Sequence, residues 1–216
     1  MQKTFRQLID NSNTIFLDFD GVIKDSVSIK ASAFEALFSE SGFNASNLIK
    51  THHLENGGMT RYEKIPLYLA WSGLTPSEEN VSKYCNLFSS IVKKAVISSP
   101  WVPGVIDFLE SAYKLKKLIL LTATPKDEID EILKKIKIDH FFKEVYGSPS
   151  SKIESMSLFL KKFSIDSNEA IMIGDSYKDY EAAKLNNVSF VLRRTDFNLA
   201  MQSQCSFLMI NNFNDE

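Results

Sequence analysis

The chain has 216 residues, 44% of them apolar, with 16 phenylalanines and a net charge of −2. That length suits one ordinary domain, or a core with a smaller inserted module. The near-neutral balance leaves no basic footprint for nucleic acid, and no apolar run approaches the length of a membrane span. The N-terminal Met1-Gln2-Lys3-Thr4-Phe5-Arg6-Gln7 lacks the apolar centre of a secretion signal. The expectation is a soluble cytoplasmic protein, monomer or homodimer, without nucleic-acid or membrane partners. Cys85 and Cys205 read as two buried free thiols rather than a disulfide.

The first strand is expected near 14–19, where Thr14-Ile15-Phe16-Leu17 runs into Asp18-Phe19-Asp20-Gly21. A strand alternates faces, so Asp18 and Asp20 start out pointing the same way, and the glycine permits a sharp turn after them. Two carboxylates at the mouth of a buried strand repel each other and resist desolvation. The pair makes sense if a cation lies between them, or if one holds a proton while the other is ionised.

Residues 24–97 have a different character. Val27, Ile29, Ala33, Phe34, Leu37 and Phe38 form a helical stripe, and 62–74 and 81–96 also read as helices. No strong strand separates them, so this block is expected to be an all-helical cap inserted into a core formed by 1–23 and 98–216. Its loop Asn56-Gly57-Gly58-Met59-Thr60-Arg61 has the freedom to close over a site, where Arg61 would grip an anionic group on the substrate. His52-His53 reads as part of an exposed helix rather than a metal site.

The α/β pattern resumes after Pro100. A helix is expected over 104–115, a strand over 117–122, and a helix to about Ile136 with Thr124 as N-cap, Pro125 at its first position and Asp127 at its third. A short strand near 144–146, helix 151–163, strand 170–174, helix 178–186 and strand 188–192 follow. Cys205–Ile210 reads as a sixth, edge strand. The apolar runs 117–121 and 170–174 look like central parallel strands. In an open parallel sheet the carboxyl ends of the strands form the binding crevice, so Asp18, Asp20, Thr122 and Asp175 are expected to converge there.

These residue types suggest phosphoryl chemistry. Asp18 is the candidate nucleophile, forming an acyl phosphate that water then hydrolyses. Asp20 is the candidate acid and base. Asp175 completes an oxygen-rich site for Mg2+. Thr122, with Ala123 beside it, offers a hydroxyl and nearby backbone N–H groups to a phosphate oxygen. Lys152 would neutralise the phosphate and hold Asp18. Asp179 would hold a metal-bound water or orient the strand-end loop.

Four segments in this order resemble the haloacid dehalogenase superfamily of phosphotransferases. Asp18-Phe19-Asp20-Gly21-Val22-Ile23 looks like its first motif and Leu121-Thr122-Ala123-Thr124 like its second. Lys152 stands where the third-motif lysine belongs, although Ile153 rather than a proline follows it. Gly174-Asp175-Ser176-Tyr177-Lys178-Asp179 looks like the fourth. The helical insert is similar to the cap of the phosphoglycolate phosphatase and β-phosphoglucomutase branch. The resemblance implies an α/β fold with a Rossmann-like parallel sheet sandwiched by helices. It also implies Mg2+ held by Asp18, the Asp20 backbone carbonyl and Asp175. Family members that cleave carbon–halogen or carbon–phosphorus bonds lack an acid at the Asp20 position, so its presence favours phosphate esters. The expected activity is hydrolysis of a small phosphorylated metabolite, a sugar phosphate or a phosphoglycolate-like ester. A sugar phosphomutase and a non-catalytic binding module on the same scaffold are the alternatives.

Overall fold

The structure, a computed structural model, describes residues 4–204 and 207–215, apart from the side chain of Phe43. Six parallel strands form one sheet in the order β3-β2-β1-β4-β5-β6: β1 (Thr14–Leu17), β2 (Lys117–Pro125), β3 (Glu144–Ser148), β4 (Ala170–Gly174), β5 (Ser189–Arg193) and β6 (Leu208–Ile210). The edge strand β6 is shorter than the tail run suggested, and Cys205 and Ser206 lie outside the described residues. Cys85 is buried and free.

Alternation along the strands divides the core into two layers. Ile15, Leu17, Leu118, Leu120, Ile171 and Ile173 face one side, against Val105 and Leu109 of α6 (Val105–Ala112) and Ile129, Ile132 and Leu133 of α7 (Lys126–Lys135). Phe16, Ile119, Leu121 and Met172 face the other. There they meet Met156 and Phe159 of α8 (Lys152–Lys162) and Ala182 and Ala183 of α9 (Tyr177–Leu185). Covered on both faces, β1 and β4 can be apolar along their whole length.

Between β1 and β2 the chain forms α2 (Val27–Leu37), α3 (Phe43–Glu55), α4 (Arg61–Trp71) and α5 (Glu78–Ser98), with no strand among them. An aromatic cluster joins these helices. Phe34 stacks on Phe88 with centroids 3.8 Å apart and meets Tyr68 edge-on at 5.2 Å, while Phe38 stacks on Tyr84 at 5.0 Å. Each such pair adds about 0.5–1.5 kcal/mol beyond area burial. Among the described residues no helix is long and apolar enough to cross a membrane.

Three local expectations are corrected. First, Thr124 does not cap α7. Strand β2 stays extended through Pro125, which pairs with Ser148, and the helix starts at Lys126. Asp127 and Glu128 are then its second and third residues, and no side chain caps it. Second, His52 and His53 are half-buried on α3, because Tyr68 and Phe34 draw their rings inward. Third, α1 (Phe5–Asp10) and α10 (Leu199–Gln204) are helices that the sequence pattern did not specify, and α3 begins at Phe43, well ahead of the helical segment expected at His52-His53.

Candidate active site

β1 is central, with β2 on one side and β4 on the other, and the direction of strand succession reverses between β1 and β4. That switch point is where an open parallel sheet forms its crevice. The two aligned strand ends bring Asp18 and Asp175 together, although 157 positions separate them in sequence. The approach is tight. A Cβ on Gly21, whose φ is +77°, would lie 2.1 Å from Asp175 Oδ2, so only glycine fits both the turn and the space.

Asp18 is 4% exposed. Its Oδ1 accepts the Phe19 N–H at 2.7 Å and lies 2.8 Å from Lys152 Nζ. Lys152, at the first position of α8, is 2.6 Å from Asp179 Oδ1 and so bridges two carboxylates. Burial works against its charge, but Asp179 and Asp18 outweigh that and raise its pKa. The other oxygen of Asp179 accepts from the Ser176 N–H at 3.1 Å and the Ser176 hydroxyl at 2.6 Å, a reciprocal cap at the start of α9. Both oxygens of Asp179 are therefore committed, and the residue orients Lys152 and the strand-end loop. Asn198 steadies that loop by donating to the Asp175 carbonyl at 2.7 Å.

Asp20 is held by residues the sequence reading did not name. Ser26 donates to its Oδ1 at 2.6 Å, and Lys30 Nζ lies 2.5 Å from its Oδ2. Burial favours the neutral acid, yet Lys30 prevails and lowers the Asp20 pKa. Lys30 also donates to Thr124 Oγ1 at 2.9 Å, so Thr124 faces the site. Thr122 is buried, and its hydroxyl accepts the Thr124 N–H at 3.2 Å. Ala123 and Thr124 line the cavity beside it.

The carboxylates of Asp18, Asp175 and Asp179 each place an oxygen within 4.8 Å of the others, a cluster able to hold a metal ion. Burial first, then Asp179, pushes the Asp18 carboxyl up to about 7. Burial first, then Asp18, raises Asp175 well above the carboxylate range. Crowded, all-oxygen donors under mutual repulsion fit a hard divalent cation, which would relieve that repulsion.

A cavity of about 670 Å³ opens over these groups, within the range of small-molecule sites. Its floor is Asp18, Asp20, Ala123, Thr124 and Asp175, and α2, α3 and α4 supply its roof. Gly57 and Gly58 rest on the core, where a Cβ on Gly58 would lie 2.7 Å from that of Lys178. Arg61 lines the cavity, but its guanidinium is spent elsewhere. It pairs with Glu128 of α7 at 2.7 and 2.9 Å, bonds Ser89, and lies 4.8 Å from the Phe88 ring centroid. In this arrangement it ties the helical block to the core instead of reaching for substrate. Lys30, Lys64 and Glu128 sit at stripe positions of their helices, beside Phe34, Tyr68 and Ile132. A charge inside an apolar stripe is the signal that could have revealed them.

The comparisons agree with this geometry. A phosphoglycolate phosphatase of Pseudomonas savastanoi is 24% identical over 194 residues, covering 85% of this chain and 70% of the relative. A phosphorylated carbohydrates phosphatase of Thermotoga maritima is 24% identical over 182 residues, covering 79% of each chain. The solved β-phosphoglucomutase of Clostridium difficile superposes with a TM-score of 0.72 at 20% identity, covering 94% of this chain and 92% of the other, a likeness of fold. The description of the haloacid dehalogenase-like hydrolases matches residues 15–192, most of the chain. The protein belongs to that family of hydrolases.

Proposed function

We propose that the protein hydrolyses a small phosphate ester through a phosphorylated Asp18, with Mg2+ as cofactor. The observation that carries this reading is the position of Asp18. It ends the central strand, touches Lys152, faces Asp175 and opens onto a cavity that Asp20 also lines. The core, 1–23 and 98–216, would supply the chemistry, and the helical block 24–97 would act as the cap that selects the leaving group.

In the first step an Asp18 oxygen attacks phosphorus. The bond from phosphorus to the ester oxygen breaks, and that oxygen keeps the electron pair and takes a proton from Asp20. In the second step Asp20 takes a proton from water as the water oxygen attacks phosphorus. The bond to Asp18 breaks, releasing phosphate and restoring the carboxylate. Lys30 holds Asp20 as the carboxylate, the form that the second step needs. To donate in the first step, Asp20 must loosen that contact. Lys152 would neutralise charge beside Asp18, and Thr122 with the Ala123 backbone would receive a phosphoryl oxygen. Asp18, Asp175 and the Asp20 backbone carbonyl would hold Mg2+, which supplies charge stabilisation for the phosphoryl group. Asp179 would act through Lys152 rather than on the metal.

The test is a panel of phosphate esters assayed with Mg2+, on the wild type and on Asp18→Asn. The amide should lower kcat more than about 100-fold, a loss above ~2.7 kcal/mol, with the fold intact. A variant that kept more activity would remove Asp18 as the nucleophile. A mutase outcome would appear instead as a long-lived phosphorylated Asp18 and a need for a bisphosphate activator.

A further inference from the structure

Four cationic side chains line the cavity: Lys30, Arg61, Lys64 and Lys178. Three have carboxylate partners. Lys30 pairs with Asp20, Arg61 with Glu128, and Lys178 with Glu181 at 3.0 Å. Lys64 is 1% exposed, and its polar partners among the described residues are His53 Nδ1 at 3.0 Å and the His53 carbonyl at 3.5 Å. The two carboxylates whose charge favours its ammonium are engaged elsewhere. Glu63 caps Thr60, and Asp20 is held by Ser26 and Lys30.

A buried ammonium without a counter-ion is costly. Burial first, then Lys30, pulls Lys64 down to about 7. Burial and then Lys64 hold His53 well below its ordinary value, so its ring is neutral. A charged Lys64 can donate only to a bare Nδ1, which places the His53 proton on Nε2. The ring thus fixes the direction of Lys64 without cancelling its charge.

We infer that Lys64, oriented by His53, is the specificity-determining cation for a carboxylate on the leaving-group side of the substrate, which makes the substrate a phosphate monoester of a hydroxy acid. The inference rests on the phosphatase reading. The transferred phosphoryl group already has Lys152 beside Asp18, so a cation in the roof serves the other end of the molecule. Arg61 cannot take that role while Glu128 holds it. A single ammonium with no carboxylate in contact matches one carboxylate more closely than a phosphate dianion. Closing the cavity excludes water and strengthens the contact.

The experiment uses two esters of one skeleton, 2-phosphoglycolate and 2-hydroxyethyl phosphate, which differ in the carboxylate. With Mg2+ the wild type should favour 2-phosphoglycolate by at least about tenfold in kcat/KM, equivalent to ~1.4 kcal/mol, with most of the difference in KM. Lys64→Met should bring the ratio close to one, and so should Lys64→Gln, which still donates to His53. A merely structural role for Lys64 would lower activity on both esters alike. Calorimetry on Asp18→Asn measures the same ratio in Kd without turnover. If the wider panel of phosphate esters is hydrolysed but neither of these two is, the hydroxy-acid assignment falls; if no ester of the panel is hydrolysed, the phosphatase reading falls, and the Kd ratio decides the role of Lys64 separately. A wild-type chain that does not discriminate between the esters, or folded Lys64 variants that keep the discrimination, would overturn the assignment.

Discussion

The pair formed by Arg61 and Glu128 allows a quantitative test of how the helical block is held on the core. Both side chains are at most 5% exposed and meet through two parallel hydrogen bonds. Arg61→Met keeps roughly the volume and the packing on Phe88 but leaves Glu128 buried with Ser89 as its neutral partner, at 2.6 Å. Removing one partner of a buried pair costs about 3–5 kcal/mol. For a chain of this size each kcal/mol shifts Tm by roughly 2–4 °C, so the expected loss is about 6–20 °C. Arg61→Met/Glu128→Met removes both charges, and replacing a buried pair by apolar groups is often neutral or stabilising. The double variant should therefore recover most of the Tm. Thermal unfolding of the three variants provides the measurement. A single-variant shift under about 2 °C, or a double variant worse than either single one, would refute the reasoning. Arg61→Met should also lower turnover of different phosphate esters by similar factors, unlike the Lys64 variants.

Two further outcomes follow from the carboxylate cluster. The folded-state pKa of Asp18 is raised from 3.8 to about 7, and Asp175 is raised too, so the metal-free fold binds protons that the unfolded chain releases. Its stability is fully present below about pH 4 for these groups and is lost as pH rises through 7. Adding Mg2+ should consequently raise Tm more at pH 8 than at pH 5, and equal shifts would contradict the assignment of Asp18 and Asp175 as ligands. Gly21→Ala combines an unfavourable φ of +77° with a Cβ 2.1 Å from Asp175 Oδ2. It should weaken the response to Mg2+, read as a higher Mg2+ concentration at half-maximal activity, while Gly73→Ala, with open space around it, should not.

The strands and their carboxylates were legible for one physical reason. Parallel strands covered on both faces must be continuous apolar runs, and β1 and β4 are written that way up to the residues that leave the sheet. Asp18 and Asp175 stand at those points, so their convergence follows from topology. Thr124-Pro125 was misread because the same dipeptide suits either a helix start or an extended strand end. Pairing of Pro125 with Ser148 decided the matter, and that contact is non-local. The first half of helix α3 went unread because its sequence, with Asn44, Ser46 and Asn47, shows little apolar periodicity. Arg61 was recognised as important from its loop, but its partner Glu128 is 67 residues away, a separation that no local pattern bridges.

The charges on the two walls of the cavity explain why the unread residues matter together. On the core side the carboxylates of Asp18, Asp20, Asp175 and Asp179 face the ammoniums of Lys30 and Lys152, which leaves a charge of about −2 when all are ionised. A divalent cation balances that wall, and a phosphoryl group can then approach it. On the roof the pairing of Arg61 with Glu128 is internally neutral, and Lys64, near Glu63 but bonded among the described residues only to His53, is the cation with no carboxylate in contact. A substrate with a phosphate at one end and a carboxylate at the other would match both walls. Its arrival would supply Lys64 with its missing partner at the moment the roof closes. Charge matching of this kind favours the substrate-bound closed state over the empty one by the differential affinity of the two states. It therefore couples specificity to closure through a residue that makes no contact with the nucleophile.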